Sequence, residues 1–387
     1  MLRNEWNAIA LNVDEKSPRR NEAALAERQL AYTQKILEKA DLIREYWSKI
    51  PDENKKSFHQ VMADFMALVW HYYAIDNATY RFWGKMDECI LGYFGQRMYK
   101  NDIASLSWQR EWERFHLEAE KSNRELICII DNKRRFREYF GGHGLPVCLR
   151  LGTLEVQNEE LTYRDAAGTE HPVASLWNGR ESIFCKPELE SQGRGCFRLD
   201  LISGQYVVDG KKYGEQDLKA LFEQPRLVEE VLVNHNVLHA LHPASLNTCR
   251  FITIREHDGG FRVLRAVMRM GVGGSTVDNW CHGGLAVEIK PDGCLAEFAQ
   301  YEDYAIPDTR FHPDSGIVFQ EVKIPYYSEA VELALEAHRL CRAMKSVGWD
   351  IAITKNGPVL VEGNVFYESF QAVCGGLRPE MARFFVQ

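Results

Sequence analysis

Residues 348–364, Gly348-Trp349-Asp350-Ile351-Ala352-Ile353-Thr354-Lys355-Asn356-Gly357-Pro358-Val359-Leu360-Val361-Glu362-Gly363-Asn364, restrict the fold of this chain more than any other stretch. Two apolar runs flank an Asn-Gly pair, which marks a tight hairpin turn. Alternation then places Glu362 and Asn364 on one face of the second strand. Whether Asp350 joins them depends on the turn. An odd number of loop residues sets Asp350 opposite Glu362 or Asn364, and a two-residue loop sets it opposite Gly363 on the other face. Three hard oxygen donors converging in this way suit Mg²⁺ bridging nucleotide phosphates. The competing reading leaves both carboxylates as solvated strand charges.

With 387 residues the chain is long enough for two or three domains. Its 47 Lys and Arg against 55 Asp and Glu give a net charge of −8, which argues against a nucleic-acid partner. The ten cysteines show no C-x-x-C pair or regular spacing and read as reduced core thiols. Met1 to Arg20 lacks the apolar stretch of a secretion signal, and Phe65 to Ile75 is too short to span a bilayer. The expected protein is cytoplasmic, without membrane insertion, and admits a homodimer.

From Asn21 to about Ser122 the period is helical: Ile36, Ala40, Ile43 and Trp47, then Phe58, Val61, Met62, Phe65 and Val69 after Pro51. After Asp131 short β-rich runs alternate with turns. Phe251–Ile254 and Val263–Met268 flank His257-Asp258-Gly259-Gly260, and Ala286–Ile289 and Leu295–Phe298 flank Asp292-Gly293. An antiparallel meander is therefore expected between residues 249 and 300. A long helix follows, its start marked by Ser328 and its apolar stripe by Val331, Ala334, Leu335, Ala337, Cys341 and Met344.

Three weaker signals carry chemistry. The strand Ser182–Lys186 ends in a lysine and opens into Pro187-Glu188-Leu189-Glu190-Ser191-Gln192-Gly193-Arg194-Gly195, where an ammonium and exposed N–H groups could meet a phosphate; the bland alternative is an ordinary turn. The acids Glu229-Glu230 follow an apolar pair and suit a nucleotide hinge with a carboxylate for a ribose hydroxyl. His235 and His239 have the i, i+4 spacing of a zinc pair, but no Glu and no third ligand complete it.

The order of these signals resembles the ATP-grasp superfamily, most closely its sugar-transfer-associated branch. The resemblance runs from about Ile129 to Gly376 through Asn132-Lys133, Gly144-Leu145-Pro146-Val147, Lys186-Pro187, Glu229-Glu230, Leu246-Asn247-Thr248-Cys249-Arg250, Arg269, Asp278-Asn279, Gly283-Gly284, Gly348-Trp349-Asp350 and Glu362-Gly363-Asn364. It implies an α+β fold in which two lobes with antiparallel sheets grip the nucleotide, preceded by an all-helical N-terminal region. The divisions would be residues 1–125 (helical), 126–226 (first lobe) and 227–387 (second lobe). The implied cofactors are ATP and one or two Mg²⁺, with Mn²⁺ as a substitute.

The same resemblance implies the roles. Lys133 and Lys186 would hold phosphates, Gln192, Gly193 and Gly195 would close over the γ-phosphate, and Glu229, Glu230, Val231, Leu232 and His235 would line the nucleotide. Asp350, Glu362 and Asn364 would bind metal, Arg250 and Arg269 with Lys186 would be catalytic, and Asp278, Asn279, Gly283 and Gly284 would shape the acceptor site. The phosphate loop departs from the pattern in carrying Glu188, Glu190 and few glycines. The implied activity is an ATP-dependent carboxylate–amine ligase working through an acyl phosphate on a sugar-acid, amino-sugar or amino-acid substrate. The rivals are a phosphotransferase that stops at a phosphorylated product and an ATP-binding module without turnover.

Overall fold

The computed structural model describes residues 30, 33–34, 37–50, 52, 55–69, 98, 123–188, 195–208, 210–278, 280, 283–301, 306–365 and 367. The chain divides into two units. The first comprises residues 1–114, 303–307 and 378–387, and the second the remainder.

The first unit contains helices α1 (Ala40–Lys49) and α2 (Phe58–Val69) at the positions set by the period of Ile43, Val61 and Phe65, all buried. Trp47 meets the Phe58 ring edge-on at 5.5 Å, and Lys56 pairs with Asp64 at 2.7 Å. Ile36 and most of the segment to Ser122 lie outside the described residues.

The second unit holds two antiparallel sheets. The first has eight strands: β1 (Arg150–Gln157), β2 (Glu160–Asp165), β3 (Glu170–His171), β4 (Ser182–Lys186), β5 (Phe197–Ile202), β6 (Gln205–Val208), β7 (Lys211–Tyr213) and β8 (Arg226–Glu230), ordered β3-β2-β1-β8-β4-β5-β6-β7. Strand β8, grouped from the sequence with the second lobe, is thus a central strand of the first sheet. It lies between β1 and the lysine strand β4.

The second sheet is ordered β12-β11-β10-β9-β13-β14, from β9 (Thr248–Arg255), β10 (Phe261–Met270), β11 (Leu285–Ile289), β12 (Leu295–Tyr301), β13 (Ser346–Thr354) and β14 (Gly357–Asn364). The meander expected between 249 and 300 is present, and the C-terminal hairpin adds to its free edge through β13 on β9. Paired residues of antiparallel strands share a face. One face therefore presents Cys249, Phe251, Met268, Val287, Trp349 and Ile351 to the main core. The other carries Thr248, Arg250, Arg269, Asp350 and Glu362.

Helices α3 (Arg124–Asp131) and α4 (Lys133–Gly142), which the sequence grouped with the first lobe, bury Ile127, Ile130, Phe136 and Phe140 in this second core. Phe140 meets Trp349 edge-on at 5.5 Å. Two short helices, α5 (Glu215–Ala220) and α6 (Asn236–Leu241), follow, and then α7 (Tyr327–Leu340) lays its stripe of Ala330, Leu333, Ala334 and Ala337 on the same core.

Ser328 does not cap α7. The helix starts one residue earlier, behind Tyr326 in the left-handed region (φ 52°), with no side-chain cap. Ser328→Ala should accordingly change stability by less than about 0.5 kcal/mol, as for an ordinary surface site. A thermal unfolding scan showing a loss of about 1 kcal/mol or more would restore the cap. Among the described residues no helix is long and apolar enough to cross a membrane, and the described cysteines are not joined in disulfides.

Candidate active site

The hairpin reaches its pairing by a route that neither loop parity anticipates. Its loop is two residues, Lys355-Asn356, closed by Thr354 opposite Gly357. Continued without interruption that register would set Asp350 opposite Val361. A β-bulge instead makes Ile351 face Leu360 and Asp350 face Glu362, so Val361 is the extra residue. Asp350, Glu362 and Asn364 thereby meet on one face, with the Asn364 amide 3.4 Å from Asp350 and 3.5 Å from Glu362.

Gly363 points to the opposite face. A Cβ there would lie 2.9 Å from Trp349 Cζ3 and 3.0 Å from Ile130 Cγ2. A glycine is therefore what allows the two flanking polar residues to sit over the core. Gly363→Ala is expected to cost about 1–3 kcal/mol by overpacking, read by denaturant unfolding; an unchanged midpoint would mean that Trp349 and Ile130 yield freely.

Asp350 is the hub. It is 1% exposed and takes two bonds from Arg250, Nη2 to Oδ2 at 2.8 Å and a shorter one from Nε, and a third contact from Arg269 Nη2 at 3.0 Å. Burial alone would raise its carboxyl. The two guanidiniums outweigh that and hold it well below the usual carboxylate range. Arg269 Nη2 also donates to Thr248 Oγ1 at 2.8 Å, and Thr248 N–H donates to Asp278 Oδ2 at 2.9 Å. Glu362 shifts the other way, raised first by burial and then by the adjacent Asp350.

A second cluster borders the first. Lys186 ends β4 with its ammonium 2.5 Å from Glu229 Oε2. Arg137 on α4 donates to both Glu229 oxygens at 3.1 and 3.3 Å and, through Nη1, to the carbonyl of the bulge residue Val361. Burial would raise Glu229, but Arg137 and Lys186 lower it. Lys133 opens α4 behind Asn132, whose side chain accepts from Arg135 N. Its ammonium is pushed down by burial and by Lys186, and partly pulled back by Glu362 and Glu229. Lys133, Lys186 and the acidic residues Glu229 and Glu362 thus act on one another electrostatically.

Some sequence assignments change meaning. Glu229 is 2% exposed and paired with Arg137 and Lys186, whereas Glu230, on the opposite face of β8, is the exposed carboxylate. Val231 and Leu232 are half-buried. The His235 ring caps α6 by accepting from Val237 N at 3.3 Å and lies edge-on to Tyr326, while His239 is exposed.

Asp278 accepts from Thr248 and pairs with Arg269 at 3.6 Å, in each case through Oδ2. Glu188, just after β4, ties that strand to the start of α4, accepting from Asn132 Nδ2 at 2.8 Å and pairing with Arg134 at 3.1 Å. Gly195 (φ 66°) accepts from Arg226, and Gly283 (φ 84°) is a turn glycine followed by buried Gly284. Gln192, Gly193 and Asn279 lie outside the described residues. Thr248 stood in the sequence only inside the motif 246–250, without a role, and Arg137 was not singled out, although it falls four residues after Lys133, on the same helix face.

Two antiparallel α+β lobes, with Lys186 of the first sheet and Lys133 of α4 gathered near the Asp350…Glu362-x-Asn364 hairpin of the second, fit the ATP-grasp class. The family model for sugar-transfer associated ATP-grasp proteins matches residues 113–375, more than half of the chain, and the protein belongs to that family. No curated protein matches in sequence.

Solved structures that are similar include N5-carboxyaminoimidazole ribonucleotide synthetase from Thermotoga maritima (11% identity, TM-score 0.33, 62% of this chain and 43% of that one). An L-amino acid ligase from Bacillus licheniformis is another (11%, 0.35, 63% and 42%). A third is D-alanyl-alanine synthetase A from Vibrio cholerae O1 (12%, 0.36, 67% and 61%). The chain spans less than half the length of the first two.

Proposed function

We infer that the protein is an ATP-dependent carboxylate–amine ligase. The observation that carries this reading is the junction of two lysines, two arginines and an acidic hairpin at one site, with no activated nucleophile among the described residues. Cys185 and Cys249 are buried thiols whose pKa burial pushes far up, which disfavours a thioester route. A site of fixed cations suits phosphoryl transfer by positioning and charge.

The donor set Asp350, Glu362 and Asn364 fits Mg²⁺. All are oxygen-bearing, they share a face, and the raised Glu362 is a carboxylate whose ionisation a cation would favour. Mn²⁺ would suit the same oxygens. When bound, Mg²⁺ supplies charge neutralisation to the β- and γ-phosphates.

Lys133 and Lys186 hold the phosphate oxygens, and Glu230 with Val231 and Leu232 lines the adenosine. Arg250 and Arg269 face the γ-phosphoryl group as it moves from ATP to the acceptor carboxylate, giving an acyl phosphate and ADP. A neutral amine then attacks the acyl carbon, the C–O bond to phosphate breaks, and the amine proton leaves with phosphate as the amide forms. The substrates proposed are a sugar acid, amino sugar or amino acid of surface-polysaccharide or specialised metabolism.

The test is incubation with Mg-ATP and pooled carboxylates and amines, read by mass spectrometry and phosphorus NMR. An amide with equimolar ADP and phosphate, dependent on both pools, is expected. A stable phosphorylated product without amide would replace the ligase by a phosphotransferase. In calorimetry Lys186→Ala should weaken ATP binding by about tenfold or more, the loss of one charge-assisted phosphate contact; unchanged affinity would remove Lys186 from the nucleotide site.

A further inference from the structure

We propose that Arg137 is a positioning residue that fixes two parts of this site at once: the Lys186 ammonium, through Glu229, and the register of Glu362, through the carbonyl of Val361. The proposal rests on the ligase reading for its kinetic consequences, but its geometry stands apart from it.

The guanidinium is 4% exposed and has three acceptors on two sheets. Nε and Nη2 take the two oxygens of Glu229 on β8, and Nη1 takes the Val361 carbonyl on β14. Glu229 in turn holds Lys186 Nζ at 2.5 Å. The stem cannot drift, because Phe136 and Phe140 of the same helix are locked in the core beneath the second sheet.

Val361 is the residue that the bulge removes from the ladder, so its carbonyl lacks its regular place in the pairing, and Arg137 supplies a donor. Without that donor the plain two-residue-turn register competes. It would set Val361 opposite Asp350 and turn Glu362 toward the core face, where Trp349 and Ile130 already lie against Gly363. Only a planar fork reaches both partners; a lysine point charge balances Glu229 but cannot also bond Val361.

The test therefore compares wild type with Arg137→Lys, which keeps the charge. In nucleotide-free protein, hydrogen exchange by mass spectrometry over residues 357–364 should quicken about tenfold or more as the bulge loosens. With substrates, kcat should fall about 100-fold while the KM for ATP stays within about threefold, the mark of misplaced transition-state groups. Wild-type exchange and wild-type kcat in Arg137→Lys would show Arg137 to be only the charge partner of Glu229 and would overturn the proposal.

Should Arg137→Lys not fold, Arg137→Ala is assayed with millimolar guanidinium. Saturable slowing of exchange over 357–364 is expected, and no response would likewise overturn it. Because exchange is read without ATP or acceptor, a wild type that ligates nothing would sink the ligase reading and leave Arg137 to be judged by exchange alone.

Discussion

Glu362→Gln is expected to lower turnover by about 10³-fold or more while ATP affinity stays within a few-fold of wild type, because in the proposed site the metal would lose a charged ligand while the lysines proposed to hold phosphate remain. Glutamine keeps the shape and an acceptor for Asn364, so loss of charge is what the experiment isolates. The same variant makes a prediction of opposite sign for stability. The folded pKa of Glu362 is raised by burial and by Asp350. The folded state therefore holds this proton more tightly than the unfolded chain, whose value is about 4.3. Stability then falls as pH rises through the folded value, and the penalty is fully present above it.

Glu362→Gln, free of that penalty, should melt higher than wild type at neutral pH without metal. The difference should close as pH drops to the unfolded value. Millimolar Mg²⁺ should raise the melting temperature of wild type and leave the variant unmoved. Scanning calorimetry at several pH values, with and without Mg²⁺, reads all three outcomes. Equal turnover in the two proteins, or equal Mg²⁺ stabilisation, would remove Glu362 from the metal site.

Asp350→Asn is the other large effect. It removes the one anion that Arg250 and Arg269 both contact and leaves two guanidiniums facing each other in a nearly solvent-free site. Breaking a buried pair in this way costs about 3–5 kcal/mol, and the two arginines, proposed above to face the phosphoryl group, lose their common anchor. The sign with pH is fixed by the depressed folded pKa of Asp350. Its contribution is present above the unfolded value of about 3.9 and is lost only as pH falls through the lower folded value. The stability gap between wild type and Asp350→Asn, from urea unfolding, should therefore be level between neutral pH and about pH 5. A gap below about 1 kcal/mol would mean that the arginines find other partners or water.

Local periodicity made much of this protein legible. The hairpins β9–β10 and β11–β12, the helix through Val331 and Ala337, and the pairing of Glu362 with Asn364 on one face all follow from side-chain repeats within a few residues of one another. Turn type and parity act over the same short range, which is why Asn356-Gly357 identified the hairpin. The alternation that separates Glu229 from Glu230 was also available, but which of them faces inward was not: that depends on the cations brought to β8 by β4 and α4.

The bulge at Val361 is the clearest case of the division. By itself the hairpin sequence determined two strands, a tight turn and three oxygen-bearing side chains at the right spacing, because these obey the two-residue repeat of a strand. Only the tertiary structure decided that Asp350 and Glu362 would face each other. That pairing requires an extra residue in one strand, whose carbonyl is met by a guanidinium 224 residues away in sequence. The insertion of β8 into the first sheet and the docking of α3 and α4 under the second were settled in the same manner, by contacts between segments with no common local period.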